Sequence, residues 1–301
     1  MDLPDGLTTR PLVPSDAAAV TELTAAQEVA DVGEVVIEEA DIVADWQRPG
    51  YDIGTGTLGV FDGEVLVAYA DVGYLHRCDA AVHPDHRGRG IGTQIALWMQ
   101  ERARDQGWDV VGTPVPQGSP GDVLLESLGY HVRWTSWVLQ LPEGATIPER
   151  PLPEGYAVRA ATEGEYHAVY TVEEDAFLEW AVRERETFEE WKSQTVQRPG
   201  FEPWNLRVVT DRTGEVVATA LLQLNVDCAY IALLATRKDQ RGQGLAQALL
   251  VDAFAVAAEH GAVKSELSTD SRTGALGLYE KVGMQVTSVW VNRAIDLVPA
   301  T

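Results

Sequence analysis

A chain of 301 residues with 45% hydrophobic side chains has room for two domains of ordinary size, each with its own core. Its 23 basic residues face 46 acidic ones, a formal net charge of −23, which argues against nucleic acid and anionic membrane surfaces as partners and favours cationic ones, although a uniformly acidic surface also serves solubility alone. No apolar run is long enough to span a bilayer, and the acidic start Met1-Asp2-Leu3-Pro4-Asp5 lacks a hydrophobic signal region, so a cytoplasmic location is expected.

In chain order, a short strand is predicted around Thr8 to Leu12, then a helix starting near Ser15-Asp16 with Ser15 as N-cap. Val32 to Trp46 reads as a second helix or a loop. Leu58 to Phe61 and Val65 to Val72 flank Asp62-Gly63, a hairpin turn signal. A strand ending at Val82 leads through Arg87-Gly88-Arg89-Gly90-Ile91-Gly92 into an amphipathic helix that Gly107 stops. Trp108 to Val111 is the next strand, and Pro114, Pro116 and Pro120 are expected to break regularity. Asp122 to Leu128 is a short helix and Tyr130 to Leu141 a strand. Pro142, Pro148, Pro151 and Pro153 mark a linker. Tyr156 to Arg159 restarts the pattern, Val169 to Gln194 is helical and acid-rich, and Leu206 to Thr210 and Val216 to Leu224 form another hairpin. Ile231 to Ala235 is a buried strand, Leu245 to Ala257 a helix closed by Gly261, Val263 to Thr269 a strand, Thr273 to Val282 a helix and Met284 to Leu297 a final strand. Cys78 and Cys228, with neither a CxxC pair nor a histidine-rich cluster, predict buried thiols, no disulfide and no metal site.

The segment Gln240-Arg241-Gly242-Gln243-Gly244-Leu245-Ala246 joins a strand to a helix. Two glycines bring backbone close to a ligand, and the free N–H groups of a first helical turn favour an anion, a pyrophosphate above all. A dinucleotide-binding G-x-G-x-x-G is excluded by Gln247, and no G-x-x-x-x-G-K-[ST] run occurs. What remains is R-x-x-G-x-[GA], at Arg241, Gly244 and Ala246. The pattern occurs twice. Arg87 and Arg241 are 154 residues apart, and Leu124, Glu126 and Gly129 match Leu278, Glu280 and Gly283 at the same offset. Arg48-Pro49-Gly50-Tyr51 matches Arg198-Pro199-Gly200-Phe201 at 150, and Gly63-Glu64-Val65 matches Gly214-Glu215-Val216 at 151. Ordered matches through both halves predict an internal duplication, with domains at 1–143 and 155–301 and a linker at 144–154.

The loop at Arg241 resembles the signature loop of the GCN5-related N-acetyltransferases (GNAT). The run Ala275, Leu278, Tyr279, Gly283 and Met284 resembles that family's closing motif N-x-x-A-x-x-L-Y-x-x-x-G-F, with Ser271 where asparagine is frequent and Met284 in place of phenylalanine. The resemblance implies an α/β protein of two GNAT-type domains, each a mixed, splayed sheet with helices on both faces. It implies acetyl-CoA as acetyl donor. Its pyrophosphate would be held by Arg241, Gly242, Gln243, Gly244, Leu245 and Ala246, its pantetheine arm by backbone near Leu234, Ala235 and Thr236, with Ser271 nearby. In the first copy Ala81, Val82, Arg87, Gly88, Arg89, Gly90 and Gly92 are the counterparts.

In this family the motif tyrosine, here Tyr279, protonates the departing thiolate; a phenol, with a pKa near 10 against about 8.5 for a thiol, suits that task. The position at the same offset in the first copy is Leu125, and Gln117 stands opposite Ser271. The first domain is therefore expected to be non-catalytic, an asymmetry that resembles other two-domain acetyltransferases of this superfamily, mycothiol synthases among them. An attacking amine must lose a proton, and Glu266, on the strand beside the signature strand, is the first candidate base. Glu173, Glu174 and Asp175, on the helix that covers the acceptor side in this family, are others, and Asp227 and His167 are weaker. His83 and His86, beside the first loop, read as surface residues. The expected reaction is acetyl transfer from acetyl-CoA to a primary amine of a small molecule by direct attack, in a monomer or homodimer. A non-catalytic acetyl-CoA-responsive binding protein and a protein lysine acetyltransferase are the alternatives.

Overall fold

The computed structural model describes residues 1–73 and 76–297. The chain forms two compact units, one of Met1–Ser136 with Ser288–Thr301, the other of Trp137–Thr287.

The first unit begins with β1 (Leu7–Arg10), α1 (Ala17–Asp31), α2 (Glu39–Trp46) and the single turn α3 (Ile53–Gly56). There follow β2 (Thr57–Asp62), β3 (Val65–Val72), β4 (Cys78–Val82), α4 (Ile91–Asp105), β5 (Val110–Pro116), α5 (Pro120–Ser127) and β6 (His131–Gln140). Strands β1 to β4 form an antiparallel sheet in sequence order. Ile91, Ile95 and Met99 of α4 pack in one cluster with Val60, Ala70 and Val72, while Val20 and Leu23 of α1 join Ile42, Trp46 and Tyr69 in another. Burying each such aliphatic side chain contributes on the order of 1.5–3 kcal/mol before entropy is counted.

The second unit repeats this order. It has β7 (Ala157–Ala160), α6 (Tyr166–Phe177), α7 (Phe188–Gln194), β8 (Leu206–Thr210), β9 (Val216–Asn225), β10 (Cys228–Thr236), α8 (Leu245–Glu259), β11 (Lys264–Asp270) and α9 (Leu276–Lys281), before β12 (Gln285–Asp296). Strands β7 to β10 are antiparallel neighbours, and β11 joins β10 in parallel, so the sheet is mixed. Val169 and Val172 of α6 pack with Val208, Leu221 and Ala235. Leu245 and Leu249 of α8 pack with Val209, Val217 and Ala220. Neighbouring residues of one strand point to opposite faces, so these helices cover opposite sides of the sheet.

The duplication reaches individual ion pairs. Arg10 grips Asp16 at 2.6 and 2.9 Å, and Arg159 grips Glu165 at 2.7 and 2.6 Å, each arginine at or next to the end of the first strand of its copy.

Several expectations change. The units do not follow the division 1–143, 144–154 and 155–301. Residues 137–143 fall in the second unit, where the Leu141 amide donates to the Ser265 carbonyl at 2.9 Å, and residues from 288 onward fall in the first, where β12 pairs antiparallel with β5 from Trp290↔Pro116 to Asp296↔Val110. The chain's last strand thus completes the first copy. Pro114 lies inside β5 and Pro116 is its last residue, so the strand runs through the first proline; prolines fit a strand whose N–H groups need not all be used. The helix expected over Val169 to Gln194 is two helices. The Tyr170 hydroxyl donates to the Glu186 carbonyl at 2.5 Å and Arg183 donates to Glu174 and to the Glu184 carbonyl, fixing 178–187 as a folded-back loop. Ser15 is not an N-cap: a 3-10 turn (Pro14–Asp16) precedes α1, and the Asp16 carboxylate accepts from the Val13 amide before that turn at 2.8 Å. Helix α9 starts at Leu276 because the Thr273 hydroxyl bonds the Asp270 carbonyl and accepts from the Ala275 amide, a local turn that competes with helix. Cys78 is buried and Cys228 half-buried; both are free.

Candidate active site

The second signature loop is a 3-10 turn (Lys238–Gln240), two left-handed glycines (Gly242 at φ 78°, Gly244 at φ 83°) and the 15-residue helix α8, with Gly244 as its N-cap. A side chain at either glycine would strain the backbone, so these positions stay bare. A pyrophosphate fits this cradle: it meets peptide N–H groups at the positive end of a long helix. Its arginine is otherwise engaged. Arg241 holds Glu179 at 2.7 and 3.1 Å and donates through Nε to the Thr236 carbonyl at 3.1 Å. Lys238 also reaches Glu179, at 3.2 Å. Arg241 therefore braces the loop against the segment after α6.

Strands β10 and β11 pair only from Cys228↔Lys264 to Ile231↔Leu267. Beyond that point β10 carries a register shift between Ile231 and Leu233 and continues beside β9 alone, so the two parallel strands splay from Ala232 to Thr236. The Arg237 amide donates to Val217 in β9 at 2.9 Å. By strand alternation Thr236 and Leu234 face the open edge, whereas Ala235, paired with Thr219, faces β9. Of the three residues expected to meet a pantetheine arm, two have the required direction.

Tyr279 lies on α9, 8% exposed, in the same cluster as Ile231 and Leu267, the last paired residues before the splay, and Leu250 of α8. Among the described residues its hydroxyl makes no hydrogen bond, and burial pushes its pKa up to about 12. The phenol is held protonated. Glu266 stands on the other face of β11, beside Leu267 and opposite Tyr230, whose hydroxyl meets Ser268 at 2.7 Å. Glu266 is half-buried and interacts with Cys228, whose thiol is pushed up to about 12 by burial first and by this carboxylate second. A phenol and a carboxylate thus lie on opposite faces of the sheet, both near the level where the strands part.

The other candidates have different tasks. Glu173 is 1% exposed, accepts from Trp191 Nε1 and Thr219 Oγ1, and has its pKa raised to about 8 by burial. It lies behind the splayed strand, since Thr219 pairs with Ala235. Glu174 is taken by Arg183 and the Glu186 amide, and Asp175 by Arg185. His167 packs on Tyr170 and Phe188. Asp227 offers its carbonyl to the Val263 and Lys264 amides at the turn before β11. Ser271 is exposed next to Asp270, which Arg272 binds. No group of three or more His, Cys, Asp or Glu that could hold a metal occurs among the described residues.

The acetyltransferase (GNAT) family model matches residues 25–113 and 166–284, more than half of the chain. The chain belongs to the GNAT acetyltransferase family. It is an acetyl-CoA-dependent N-acetyltransferase built of two GNAT domains. A mycothiol acetyltransferase of Thermobispora bispora is 26% identical over 289 residues, 90% of this chain and 92% of the relative. One of Salinispora arenicola is 27% identical over 233 residues, 71% of each. A GCN5-related N-acetyltransferase of Sphaerobacter thermophilus superposes with a TM-score of 0.77 at 30% identity, covering 100% of this chain and 98% of that one. A tandem GNAT protein of the clavulanic acid pathway shares the fold, with a TM-score of 0.73 at 16% identity over 98% and 100% of the two chains.

The first GNAT copy has the same loop without the same surroundings. Gly88 (φ 74°) and Gly90 (φ 82°) repeat the left-handed pair, and Arg87 grips Asp31 at 2.8 and 2.9 Å as Arg241 grips Glu179. Arg89 meets His86 at 2.9 Å, and His83 accepts from the Asp85 amide, so these histidines shape the turn. Gly92 packs closely on Leu124, where a Cβ would come within 2.7 Å. Ala81 is buried, and the Val82 amide, the counterpart of the Thr236 amide, already donates to Gln27 Oε1 at 3.0 Å. Leu125 is a core residue, and the Gln117 amide donates to the Val289 carbonyl. The family match in this copy ends at 113, before α5, whereas in the second it runs through the closing motif to 284. The local signal that sequence reading missed is Gln27, whose side chain occupies the splayed edge from a distant helix.

Among the described residues no helix is long and apolar enough to cross a membrane.

Proposed function

We propose that the second GNAT copy carries the reaction and that its acceptor is a primary amine of a small molecule. The observation that supports this most strongly is the difference at the splay: among the described residues the second copy leaves the Thr236 amide without a partner, its carbonyl being held by Arg241, and has Tyr279 in the cluster at the end of the β10–β11 pairing, while the first copy occupies the matching Val82 amide with Gln27 and has Leu125 instead. Acetyl-CoA supplies the activated acetyl group. In this reading the Gly242–Ala246 backbone holds the pyrophosphate, Leu234 and Thr236 align the pantetheine arm along β10, and Ser271 lies beside it. On the face that α6 covers, Glu266 takes a proton from the bound ammonium, leaving a neutral amine able to attack the thioester carbonyl. As the new C–N bond forms and the C–S bond breaks, Tyr279 on the face that α8 covers gives a proton to the leaving sulfur, and the nitrogen sheds its second proton, which restores the tyrosine phenol through solvent. The relatives named mycothiol acetyltransferase support a small-molecule acceptor, and the excess of acidic residues suits a cationic one. A panel of small amines, aminoglycosides and peptides scored by CoA release tests the reading. Turnover only with lysine peptides, or turnover that survives loss of the second loop, would overturn it.

A further inference from the structure

The second loop has one feature that the first lacks. Residues 148–150, between β6 and β7, lie across the start of α8. Gln247 on the first turn of α8 donates to the Pro148 carbonyl, and Arg150 Nη2 donates to the Gly242 carbonyl at 3.1 Å. The Arg150 side chain covers the bare side of Gly244: a Cβ there would come within 2.5 Å of Arg150 Cδ and 2.9 Å of its Nε. At Gly90 the same construction meets nothing within 4 Å.

The cations around this loop differ in availability. Arg241 and Lys238 bind Glu179, and Arg237 binds Asp239 and Glu215. Arg150 is exposed, and among the described residues it has no carboxylate partner; a single carbonyl holds it. In a chain of net charge −23, a polyanionic donor needs local positive charge at its phosphates. A guanidinium exchanging one neutral carbonyl for phosphate oxygens gains shorter, charge-assisted and two-pronged hydrogen bonds.

We propose that Arg150 is a donor-binding residue of the second copy, a cation carried by the connecting segment that closes over the pyrophosphate once the glycine loop holds it. The proposal rests on the reading that this loop binds acetyl-CoA, and the control below separates the two. Acetyl-CoA affinity is measured by titration calorimetry on full-length chains carrying Gly90→Glu, with Arg150 unchanged or replaced by Ala, Gln or Lys, and each melting profile recorded. The same series is run without Gly90→Glu, reading the site count, in case that change disturbs the first copy. Arg150→Ala and Arg150→Gln are expected to weaken binding about tenfold or more with unchanged melting, Arg150→Lys to recover part of the loss, and the salt dependence of binding to become shallower in the two neutral variants. Unchanged or tighter binding in Arg150→Ala would overturn the proposal, the latter marking Arg150 as a plug. A loss of equal size in Arg150→Lys would also overturn it, since charge would then be irrelevant. Gly244→Glu is the control: if that variant still fills the second site, the loop reading itself fails, whatever Arg150 does.

Discussion

The two signature loops are nearly superimposable in backbone logic and unlike in everything that surrounds them. Each has two left-handed glycines, an arginine locked to a carboxylate from the preceding helical region and a 15-residue helix behind it. Yet one opens onto a strand edge closed by Gln27, the other onto an open edge with a tyrosine nearby and an arginine above. A loop motif is thus evidence of shared ancestry and of a backbone shaped like an anion cradle. Whether it serves a reaction depends on side chains from elements far away in sequence.

The largest expected effect comes from removing the cradle in one copy at a time. Gly244→Glu puts bulk and negative charge where the pyrophosphate is held, and should lower turnover to background; Gly90→Glu should leave turnover within about twofold, a difference far beyond the factor of ten per 1.4 kcal/mol that separates minor perturbations. Equal losses in steady-state assays of the two variants would erase the distinction drawn between the copies. Next in size is the hydroxyl of Tyr279. Tyr279→Phe keeps the ring in its cluster and should reduce kcat on the order of 10²-fold while acetyl-CoA affinity is unchanged. Its counterpart change, Leu125→Ala, should instead cost about 2–5 kcal/mol of stability in denaturant titration and leave chemistry alone.

Glu266→Gln sharpens the comparison on the acceptor face. The loss in kcat/KM should be greatest where the wild-type carboxylate is ionised and the amine still protonated, and should shrink as pH rises toward the amine's own pKa, where no base is needed. A pH profile parallel to wild type would rule out Glu266 as the base.

Glu173 should show a smaller, purely structural dependence on pH. Its pKa is raised from 4.5 to about 8 in the folded protein by burial, so the folded state holds this proton through a range in which the unfolded chain has released it. Its contribution to stability is therefore fully present below pH 4.5 and declines as pH rises to about 8. Glu173→Gln, which cannot ionise, should gain stability relative to wild type between pH 5 and pH 8 in urea titrations. The smallest effect is expected at the exposed pair of Asp175 and Arg185. Asp175→Asn should change stability by less than about 1 kcal/mol, because solvent screens such pairs.

Much of this architecture is carried by local chemistry and was therefore legible in the sequence. Glycines that must adopt positive φ, apolar residues at helical spacing behind them, and the order of matched residues in both halves give the loops, the helices, the duplication and the family. The alternation of Leu267 and Glu266 on a strand similarly implies opposite faces from sequence alone. Contacts at long range are not encoded in that way. Nothing in the pattern of residues 285–296 says that the last strand pairs with β5 of the first unit, because a strand's periodicity fixes its buried face and not its neighbour. The sequence marks this segment as acid-rich without naming its partners, and in the folded chain Glu174, Asp175 and Glu179 are held by Arg183, Arg185 and Arg241. Gln27 at the Val82 amide and Arg150 over Gly244 are single polar side chains with no periodic signal, brought to the two loops across 55 residues and from the connecting segment respectively. Backbone conformation and face periodicity are properties of short stretches, which the sequence by itself determines. The partner of a strand edge, a charged head or a bare glycine is decided only when tertiary packing sets which distant groups share one small volume.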